Sequence, residues 1–562
     1  MEDGTTFDEL TYSRPRKDDL DREHVHRMAR WSEATTAEAQ LALIREWDQA
    51  LIHYETSSSL AHIHYRQAIN NDACKDAQEF FDNLHPTVLG HNVSFLRAVT
   101  GSPERPTLEA RLGTQIFALW ESFLGTFEPS IADAKREESA LDNEYSALLA
   151  SLEIRFQGQT HNLSTLRGFY GHADREVRAA AQQAGAAALG AHQEKLDQIY
   201  HDLVGLRDGM ARTLGYENFI PLGYRQMDRI GYGPEDVARF RDQVREVVVP
   251  LAQRIHARRA QTLGVSDYSF HDESVRDLKG VPCPAGDHDW MMDRATEMFD
   301  SLGGDFGGFF RMLRQRSLLD LKSRAGKAGG GFCCGLPAHE VPFIFANFDG
   351  TQNDVNVFTH ECGHAFQNYQ SRKQPLREYF WPTTEAAEIH SMSLEFLTHP
   401  FMELFFQEDA ERFRVGHVES GLLFLPYGVA VDEFQHKVYA EPDASPERRT
   451  EIWQEVERIY LPHRRYQDVP YFASGRVWQR QRHIYGMPFY YIDYCLAGTC
   501  AMQMWRASRV DRADAMERYR TLCSLGGSMS FPDLLAAIDL KNPFTDGCLS
   551  EVCEAVQDAI GL

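Results

Sequence analysis

Residues 360–364 read His-Glu-Cys-Gly-His, an HExxH motif inside the segment Asp354–Tyr369. On an α-helix, residues four positions apart lie one turn apart on the same face, so both imidazoles can reach one metal ion. Glu361 follows His360 directly and can approach the open side of that ion as a general base. Zinc favours histidine nitrogen together with a carboxylate and an open fourth position. We therefore expect zinc to be bound by His360 and His364.

A third protein ligand is expected on the next predicted helix, residues 383–399, which begins after a proline and carries acidic residues in its first turn. Glu385, Glu388 and Glu395 share one face of this helix, among apolar side chains. Three carboxylates on one face repel one another unless a positive charge is near, and zinc would provide that charge. We expect Glu388 to be the ligand and Glu395 to hold a ligand histidine through its other ring nitrogen. Glu385 and Glu395 are the next candidates for the ligand.

An aromatic segment at residues 482–494 is the other candidate for chemistry. It contains one histidine and four tyrosines, namely His483, Tyr485, Tyr490, Tyr491 and Tyr494. Such clusters are typical of ordinary cores and interfaces. A phenol hydroxyl can also donate a hydrogen bond to an oxyanion while it stays neutral near pH 7. The residues alone leave both interpretations open.

Most of the chain has the periodicity of amphipathic helices, as in the apolar stripe Leu112, Ile116, Leu119 and Phe123. One stretch, residues 341–348, is aromatic and rich in strand-forming residues, with turn residues on both sides. Its proline predicts an edge strand, because proline cannot donate to a ladder. The glycine-rich run 326–335 before it is expected to be a loop. The sequence thus predicts a mainly α fold with a small β-sheet beside the HExxH helix.

The composition excludes several classes of protein. The 562 residues are 43% hydrophobic and 25% charged, as in folded soluble proteins. A net charge of −24 without a long run of basic residues gives no footprint for nucleic acid or an anionic membrane. The N-terminus is not that of a secretory signal, and no apolar window reaches the roughly 18 residues of a membrane span. Ten cysteines without a paired framework predict thiols in a reducing, cytoplasmic compartment.

Six sequence segments together resemble a known family. HECGHAFQ is followed by EAAEIHSMSLEF, and GGGFCCG and VPFIFANFDGT precede them; RHIYGMPFYYIDYCLA and LCSLGGSMSFPDLL lie at 482–497 and 522–535. This combination resembles the thimet oligopeptidase and oligoendopeptidase F family of zinc metallopeptidases, and within it the bacterial oligoendopeptidase F and Pz-peptidase branch. The resemblance extends from about residue 165 to 550. HExxH alone is shared by many unrelated metalloproteases, whereas the combination is far more specific.

The resemblance implies a role for each matching residue around the metal. His360, His364 and Glu388 would be the three ligands of one zinc ion per chain, and Glu361 would be the general base. Cys362 lies inside the motif, and we interpret it as a small side chain that fills a buried helix face, with a redox-sensitive thiol as the alternative.

The resemblance also implies roles in the aromatic segment. His483 would contact the substrate, and Tyr490 and Tyr494 would stabilise the developing oxyanion. Tyr491 competes with Tyr490, because the spacing from the histidine differs between branches of the family. The implied fold is a mainly helical ellipsoid with a deep substrate channel and zinc at its floor. Strand 341–348 would be the edge that pairs with an extended substrate.

The expected function is hydrolysis of short, unstructured oligopeptides in the cytosol by metal-activated water. An N-terminal helical lobe (1–165) and a catalytic domain (166–562) are the expected domains. One alternative is a catalytically weak, helical peptide-binding protein that retains the metal site; the presence of Glu361 argues against it. A helical di-iron protein would need a second ExxH motif, which the sequence around Glu388 does not provide. The sequence indicates neither the oligomeric state nor the side chains preferred at the cleaved bond.

Overall fold

Helices account for 71% of the chain in a computed structural model that describes residues 4–466 and 469–562. The helices in the first half of the chain are α1 Lys17–Glu33, α2 Ala37–Gln67, α3 Asp72–Thr100, α4 Arg105–Leu112, α5 Thr114–Leu124, α6 Ala132–Ala150, α7 Leu163–Leu166, α8 Arg175–Gly190, α9 Gln193–Thr213, α10 Phe219–Gln226, α11 Pro234–Gln243 and α12 Val249–Leu263. Those in the second half are α13 His288–Leu302, α14 Phe306–Gln315, α15 Gln352–Ser371, α16 Thr384–Leu397, α17 Glu403–Phe406, α18 Ala410–Ala440, α19 Pro446–Tyr460, α20 Arg482–Gly486, α21 Tyr491–Val510, α22 Arg512–Leu525, α23 Phe531–Ala537 and α24 Cys548–Ile560. The predicted mainly helical fold is confirmed.

The chain forms two compact units, each assembled from three separate segments. The first unit comprises Met1–Leu124, Pro282–Glu411 and Cys500–Leu540, and the second comprises Gly125–Val281, Arg412–Thr499 and Lys541–Leu562. The division expected near residue 165 stays a prediction. None of the helices in the described part of the chain contains an 18-residue stretch apolar enough to span a bilayer.

The N-terminal part of the first unit is a helical layer built around large aromatic side chains. The Thr36 side chain caps α2 by accepting a hydrogen bond from the backbone of Ala39, as short polar residues do at helix starts. Trp47, on the apolar face of α2, contacts Phe95 and Trp120 with ring centroids 5.3 Å and 6.0 Å apart. All three rings are buried. Burial of such rings is the main stabilising contribution in this layer.

Five short strands complete the fold of the described residues. Strands β1 Ile154–Phe156 and β2 Gln159–His161 form an antiparallel hairpin in the second unit. Strands β3 Leu319–Lys322, β4 Phe332–Leu336 and β5 Val341–Phe348 form a sheet in the first unit, in the order β3-β5-β4. β3 is parallel to β5 and β4 is antiparallel to it.

The prediction that residues 341–348 form an edge strand is wrong, because β5 lies in the centre of its sheet. Pro342 is tolerated there because pairing with β3 begins only at Ile344, and on the other side it faces Gly335. The lack of one backbone N–H therefore need not interrupt the β3 ladder. The loop expected over the glycine-rich run 326–335 is likewise only partly correct, because its last four residues belong to β4, an edge strand of this sheet.

The HExxH helix α15 follows β5 directly and packs against both β5 and α16. The Asp354 carboxylate accepts hydrogen bonds from the backbone of Asp349 and Gly350, which fixes the turn between strand and helix. Gly363 faces α16 closely, since a Cβ there would lie 2.6 Å from the backbone oxygen of His390. Glycine at this position thus allows the two helices that carry the metal-site residues to approach each other.

Candidate metal centre

Two histidines and one glutamate converge in the first unit. The Nε2 atom of His360 lies 3.2 Å from Oε2 of Glu388, and Nε2 of His364 lies 3.7 Å from the same oxygen. One ligand atom from each of the three residues lies within 4.8 Å of the others, the only such group of three found in the described part of the chain. The structure therefore brings together the three residues predicted as ligands. Glu385 is fully buried on α16 but is not a member of this group.

Glu395 orients the first histidine. Its Oε1 atom lies 2.7 Å from Nδ1 of His360, so this nitrogen donates and Nε2 is directed to the metal position. The hydroxyl of Ser391 donates to Oε2 of Glu388 at 3.1 Å. Glu395 thus has the geometry expected of a residue that holds a ligand histidine, and Ser391 is an additional contact that the sequence did not indicate.

Burial and local charge set the protonation of these groups. Burial opposes ionisation of Glu388, but the hydrogen bond from His360 and the electrostatic effect of the two neighbouring imidazoles lower its pKa to about 2. Burial lowers the pKa of His364 to about 3. The pKa of His360 is well above its ordinary value because its hydrogen bonds to Glu388 and Glu395 outweigh the effect of burial. An ionised carboxylate and a neutral imidazole are the ligating forms, so Glu388 and His364 are ready to bind a cation.

Glu361 lies beside this group and is 7% exposed. Burial raises its pKa to about 7; His360 opposes this rise, and the nearby carboxylates Glu388 and Glu395 add to it. A Cβ at Gly331 would lie 3.4 Å from Oε1 of Glu361, so the absent side chain of this glycine leaves room next to the carboxylate. A carboxylate with these properties is suited to accept and release a proton near neutral pH.

The donor set fits zinc. Two imidazoles and one carboxylate are a ligand set of catalytic zinc sites, which keep a fourth position open. His364 stacks on Trp381 with centroids 5.6 Å apart, and its Nδ1 is buried without a hydrogen-bond partner in the described residues. Cys362 is fully buried, and burial places the pKa of its thiol well above the ordinary value, as expected for a side chain that fills a buried helix face.

The predicted aromatic residues cluster in the second unit. The ring of His483 lies 5.5 Å from Tyr490, 5.0 Å from Tyr491 and 6.1 Å from Tyr494. The hydroxyl of Tyr494 donates to that of Tyr490 at 3.2 Å, so these two phenols present their polar ends together. Tyr491 instead packs against Phe424, with ring centroids 5.4 Å apart.

The backbone before this cluster is held in an uncommon conformation. Phe489 has a φ of 65°, a region that costs a bulky residue free energy. Its N–H donates to the side chain of Gln435 at 3.1 Å, and its carbonyl accepts from Arg229 at 2.9 Å. Arg229 also forms a buried ion pair with Asp493. These contacts hold the backbone of Phe489, the residue directly before Tyr490, in this conformation.

Sequence reasoning missed Arg229 and Gln435. Asp493 carries only a weak signal in the sequence, because an acidic residue is common in the first turn of a helix. Its partner could not have been identified from the sequence, since Arg229 is more than 260 positions away and lies in no motif.

Residues 295–553 match the model of peptidase family M3, and residues 7–127 match the model of the peptidase M3 N-terminal domain. The chain is similar to the solved structure of PZ peptidase A with an inhibitor, at 41% identity, with 99% of each chain covered and a TM-score of 0.92. It is also similar to an oligoendopeptidase F from Bacillus anthracis str. Ames, at 39% identity, with 99% of this chain and 98% of the other covered and a TM-score of 0.88.

A curated relative, the oligoendopeptidase F homolog of Borreliella burgdorferi, is 23% identical over 275 residues, which are 47% of this chain and 45% of the relative. The chain therefore matches less than half the length of that relative. Two family models and extensive similarity to two solved structures nevertheless agree with the resemblance found in the motifs. The chain belongs to peptidase family M3, a family of zinc metallopeptidases.

Proposed function

We propose that the chain is a zinc-dependent endopeptidase that hydrolyses short, unstructured oligopeptides, with one zinc ion per chain. The observation that carries the proposal is the convergence of His360, His364 and Glu388 beside the buried carboxylate of Glu361. This donor set leaves a coordination position for water, and the adjacent carboxylate can serve as base. Membership of peptidase family M3 supports the same reaction class.

The side chains around the site divide the work of peptide hydrolysis. Zinc, when bound, would lower the pKa of a water molecule toward about 7 and polarise the scissile carbonyl. Glu361 accepts the proton of the attacking water and passes it to the leaving amine. Glu395 holds the ring of His360 in the orientation that directs Nε2 to the metal. No nucleophilic serine or cysteine is needed.

We assign His483 to substrate contact and Tyr490 and Tyr494 to stabilisation of the oxyanion. The family resemblance supports these roles, and so does the 3.2 Å separation of the two tyrosine hydroxyls, since it places both phenols close enough to act on one oxygen atom of a substrate. The pKa of His483 is lowered by burial and by Arg482, which keeps the imidazole neutral near pH 7.

Backbone pairing with an extended peptide falls to β4 in this proposal. Among the described strands, β4 pairs with β5 on one side only. Edge strands bind extended peptides through main-chain hydrogen bonds, with little demand on side chains. A cytoplasmic location is part of the proposal and is supported by the absence of disulfides among the described residues.

Removal of the metal tests the proposal. Hydrolysis of a quenched fluorescent peptide by the purified protein should stop after treatment with a chelator and return when zinc is added. Undiminished hydrolysis by protein shown by elemental analysis to be metal-free would contradict the zinc assignment. Zinc-loaded protein that binds the peptide without cleaving it would instead favour the catalytically weak peptide-binding alternative.

A further inference from the structure

The two tyrosine hydroxyls assigned to the oxyanion are carried by a segment that begins with an uncommon backbone conformation. Phe489, directly before Tyr490, has a φ of 65°, which a bulky residue adopts only where its surroundings hold it. The N–H of Asp493 donates to the carbonyl of Tyr490 at 3.0 Å, so Tyr490 begins the first turn of α21 and Tyr494 lies one turn further along. The contacts of Phe489 and Asp493 therefore set where both phenols lie.

The ring of Phe489 is enclosed by side chains of the second unit, and the residue is 1% exposed. Its centroid lies 4.8 Å from that of His436 and 5.5 Å from those of Tyr224 and Tyr439. A Cβ at Gly223 of α10 would lie 2.6 Å from Cδ2 of this ring, so the ring lies directly against the backbone of that helix. Packing at this density leaves the side chain little freedom to move.

Arg229 connects the two residues that precede the phenols. Its Nη2 group donates to the carbonyl of Phe489 at 2.9 Å and forms an ion pair with Oδ1 of Asp493. Its Nη1 group donates to the hydroxyl of Tyr232 at 2.8 Å. The side chains of Arg229 and Asp493 are 1% and 0% exposed. Because both ends of this contact are buried, Arg229 holds the residue before Tyr490 and the residue before Tyr494 in a fixed relation.

The chemistry of a guanidinium group suits this position. Its five N–H donors point outward in one rigid plane, so it can bind a carbonyl and a carboxylate at the same time. A lysine ammonium is a single point of charge on a flexible stem and fixes geometry less well. Hydrogen bonds between charged groups are also stronger than neutral ones. The contact thus restrains Phe489 and Asp493 more firmly than neutral side chains would.

We propose that Arg229 is a positioning residue for peptide hydrolysis, which acts by holding the hydroxyls of Tyr490 and Tyr494 in place. The proposal rests on the peptidase function proposed above, in which these hydroxyls stabilise the oxyanion. Donors stabilise developing charge best when they are already oriented before the reaction begins. The two hydroxyls lie 3.2 Å apart, and loss of the restraint at Phe489 and Asp493 would allow each phenol to turn away from the other.

Replacement of the arginine tests the proposal through kcat. Arg229→Met should lower kcat for a quenched fluorescent peptide by about tenfold or more, with little change in KM, because oriented donors act mainly in the transition state. Arg229→Lys should retain part of kcat because it keeps the charge. Both variants should retain about one equivalent of zinc by elemental analysis, since the metal ligands lie in the first unit.

The matched control is Arg178→Met in the same unit. Arg178 is also buried and forms an ion pair with the buried carboxylate of Asp272, and its other hydrogen bonds go to backbone carbonyls at residues 172, 173 and 271. This substitution should lower the urea midpoint, as loss of a buried ion-pair partner does, and leave kcat unchanged. A fall in kcat of equal size in both variants would show that general destabilisation, and not positioning, is responsible.

A double-mutant cycle separates positioning from any other role of Arg229. In a protein that already carries Tyr490→Phe and Tyr494→Phe, Arg229→Met should change kcat by less than about twofold, because the hydroxyls through which it acts are gone. An equal loss with and without the two hydroxyls would overturn the proposal. A parental kcat in Arg229→Met would also overturn it.

Gly223→Ala keeps the proposal testable if Arg229→Met fails to fold. The added Cβ would displace the ring of Phe489 without removing a charge. It should also lower kcat several-fold, and only in the protein that retains the two hydroxyls. Loss of kcat to the same extent in both backgrounds, or no loss in either, would contradict the proposal.

A measurement without turnover distinguishes failure of this proposal from failure of the peptidase function. In protein labelled with 3-fluorotyrosine, the ¹⁹F resonances of Tyr490 and Tyr494 are those that disappear in the corresponding phenylalanine variants. Both should shift or broaden in Arg229→Met and stay unchanged in Arg178→Met. If zinc-loaded parent protein does not cleave the peptide, the peptidase function fails, and these resonances still decide whether Arg229 positions the phenols: unchanged resonances in Arg229→Met refute it.

Discussion

Replacement of Gly363 by alanine tests whether the close approach of α15 and α16 creates the metal site. The added Cβ would lie 2.6 Å from the backbone oxygen of His390 and 2.6 Å from Cα of Ser391. Real Cβ contacts are essentially never closer than 3.0 Å. Both neighbouring atoms belong to the backbone, so a side-chain rotation cannot relieve the clash. The helices must therefore separate locally by at least about 0.4 Å, the difference between these two distances.

This separation should affect stability and zinc binding together. Overpacking a buried contact costs about 1–3 kcal/mol, which equals or exceeds the gain of about 1 kcal/mol that alanine brings over glycine in a helix interior. Because metal–ligand distances tolerate deviations of only about 0.2 Å, moving Glu388 away from His360 and His364 should weaken zinc binding by about tenfold or more.

The assays are urea unfolding of the metal-free protein and zinc competition against a chromophoric chelator. The matched control is Gly90→Ala in α3 of the same unit, where an added Cβ meets no atom within 4 Å. Gly90→Ala should raise the urea midpoint and leave zinc affinity unchanged. A Gly363→Ala variant with the stability gain of the control and the zinc affinity of the parent protein would refute the role assigned to the close packing of α15 and α16.

Three further predictions concern other groups. Glu361→Gln should keep about one equivalent of zinc and lose several orders of magnitude in turnover, whereas Glu388→Gln should bind zinc more weakly and recover part of its turnover in excess zinc. Elemental analysis and turnover across a zinc titration distinguish the two variants. Tight zinc binding by Glu388→Gln alone would place the third ligand elsewhere. Tyr494→Phe or Tyr490→Phe should lower kcat by roughly a hundredfold with little change in KM, and an unchanged kcat in both would exclude them from the mechanism. Burial raises the pKa of Asp48 to about 7, so ionisation of this carboxyl should destabilise the fold as pH rises from about 4 to 7. Asp48→Asn should therefore raise the urea midpoint at pH 8, with a gain in the free energy of unfolding of at most about 4 kcal/mol, and should have little effect at pH 4. Equal effects at both pH values would contradict this.

The local part of the metal site could be predicted from the sequence. Helical periodicity alone places His360 and His364 on one face, and it puts Glu388 and Glu395 on one face of the following helix. Both relations depend only on residues within two turns of each other. The structure brings these four residues together as expected.

The small sheet was only partly predictable. The strand propensity of residues 341–348 is a local property, and β5 occupies this range. Its position in the sheet depends on β3 and β4, whose sequences LDLK and FCCGL are short and carry weak signals. A proline by itself indicates an edge strand, but here the pairing on the two sides of β5 covers different stretches of the strand, and Pro342 lies outside the stretch that pairs with β3.

The sequence by itself determined the residue types that can bind zinc, their spacing on two helices and the mainly helical character of the chain. Only the tertiary structure decided which partners lie across these elements. The approach of α15 to the backbone at His390 and the hydrogen bonds that Phe489 donates to Gln435 and accepts from Arg229 join residues of different elements. Periodicity describes the faces of a single element, and a contact between two elements also depends on how closely their backbones can pack.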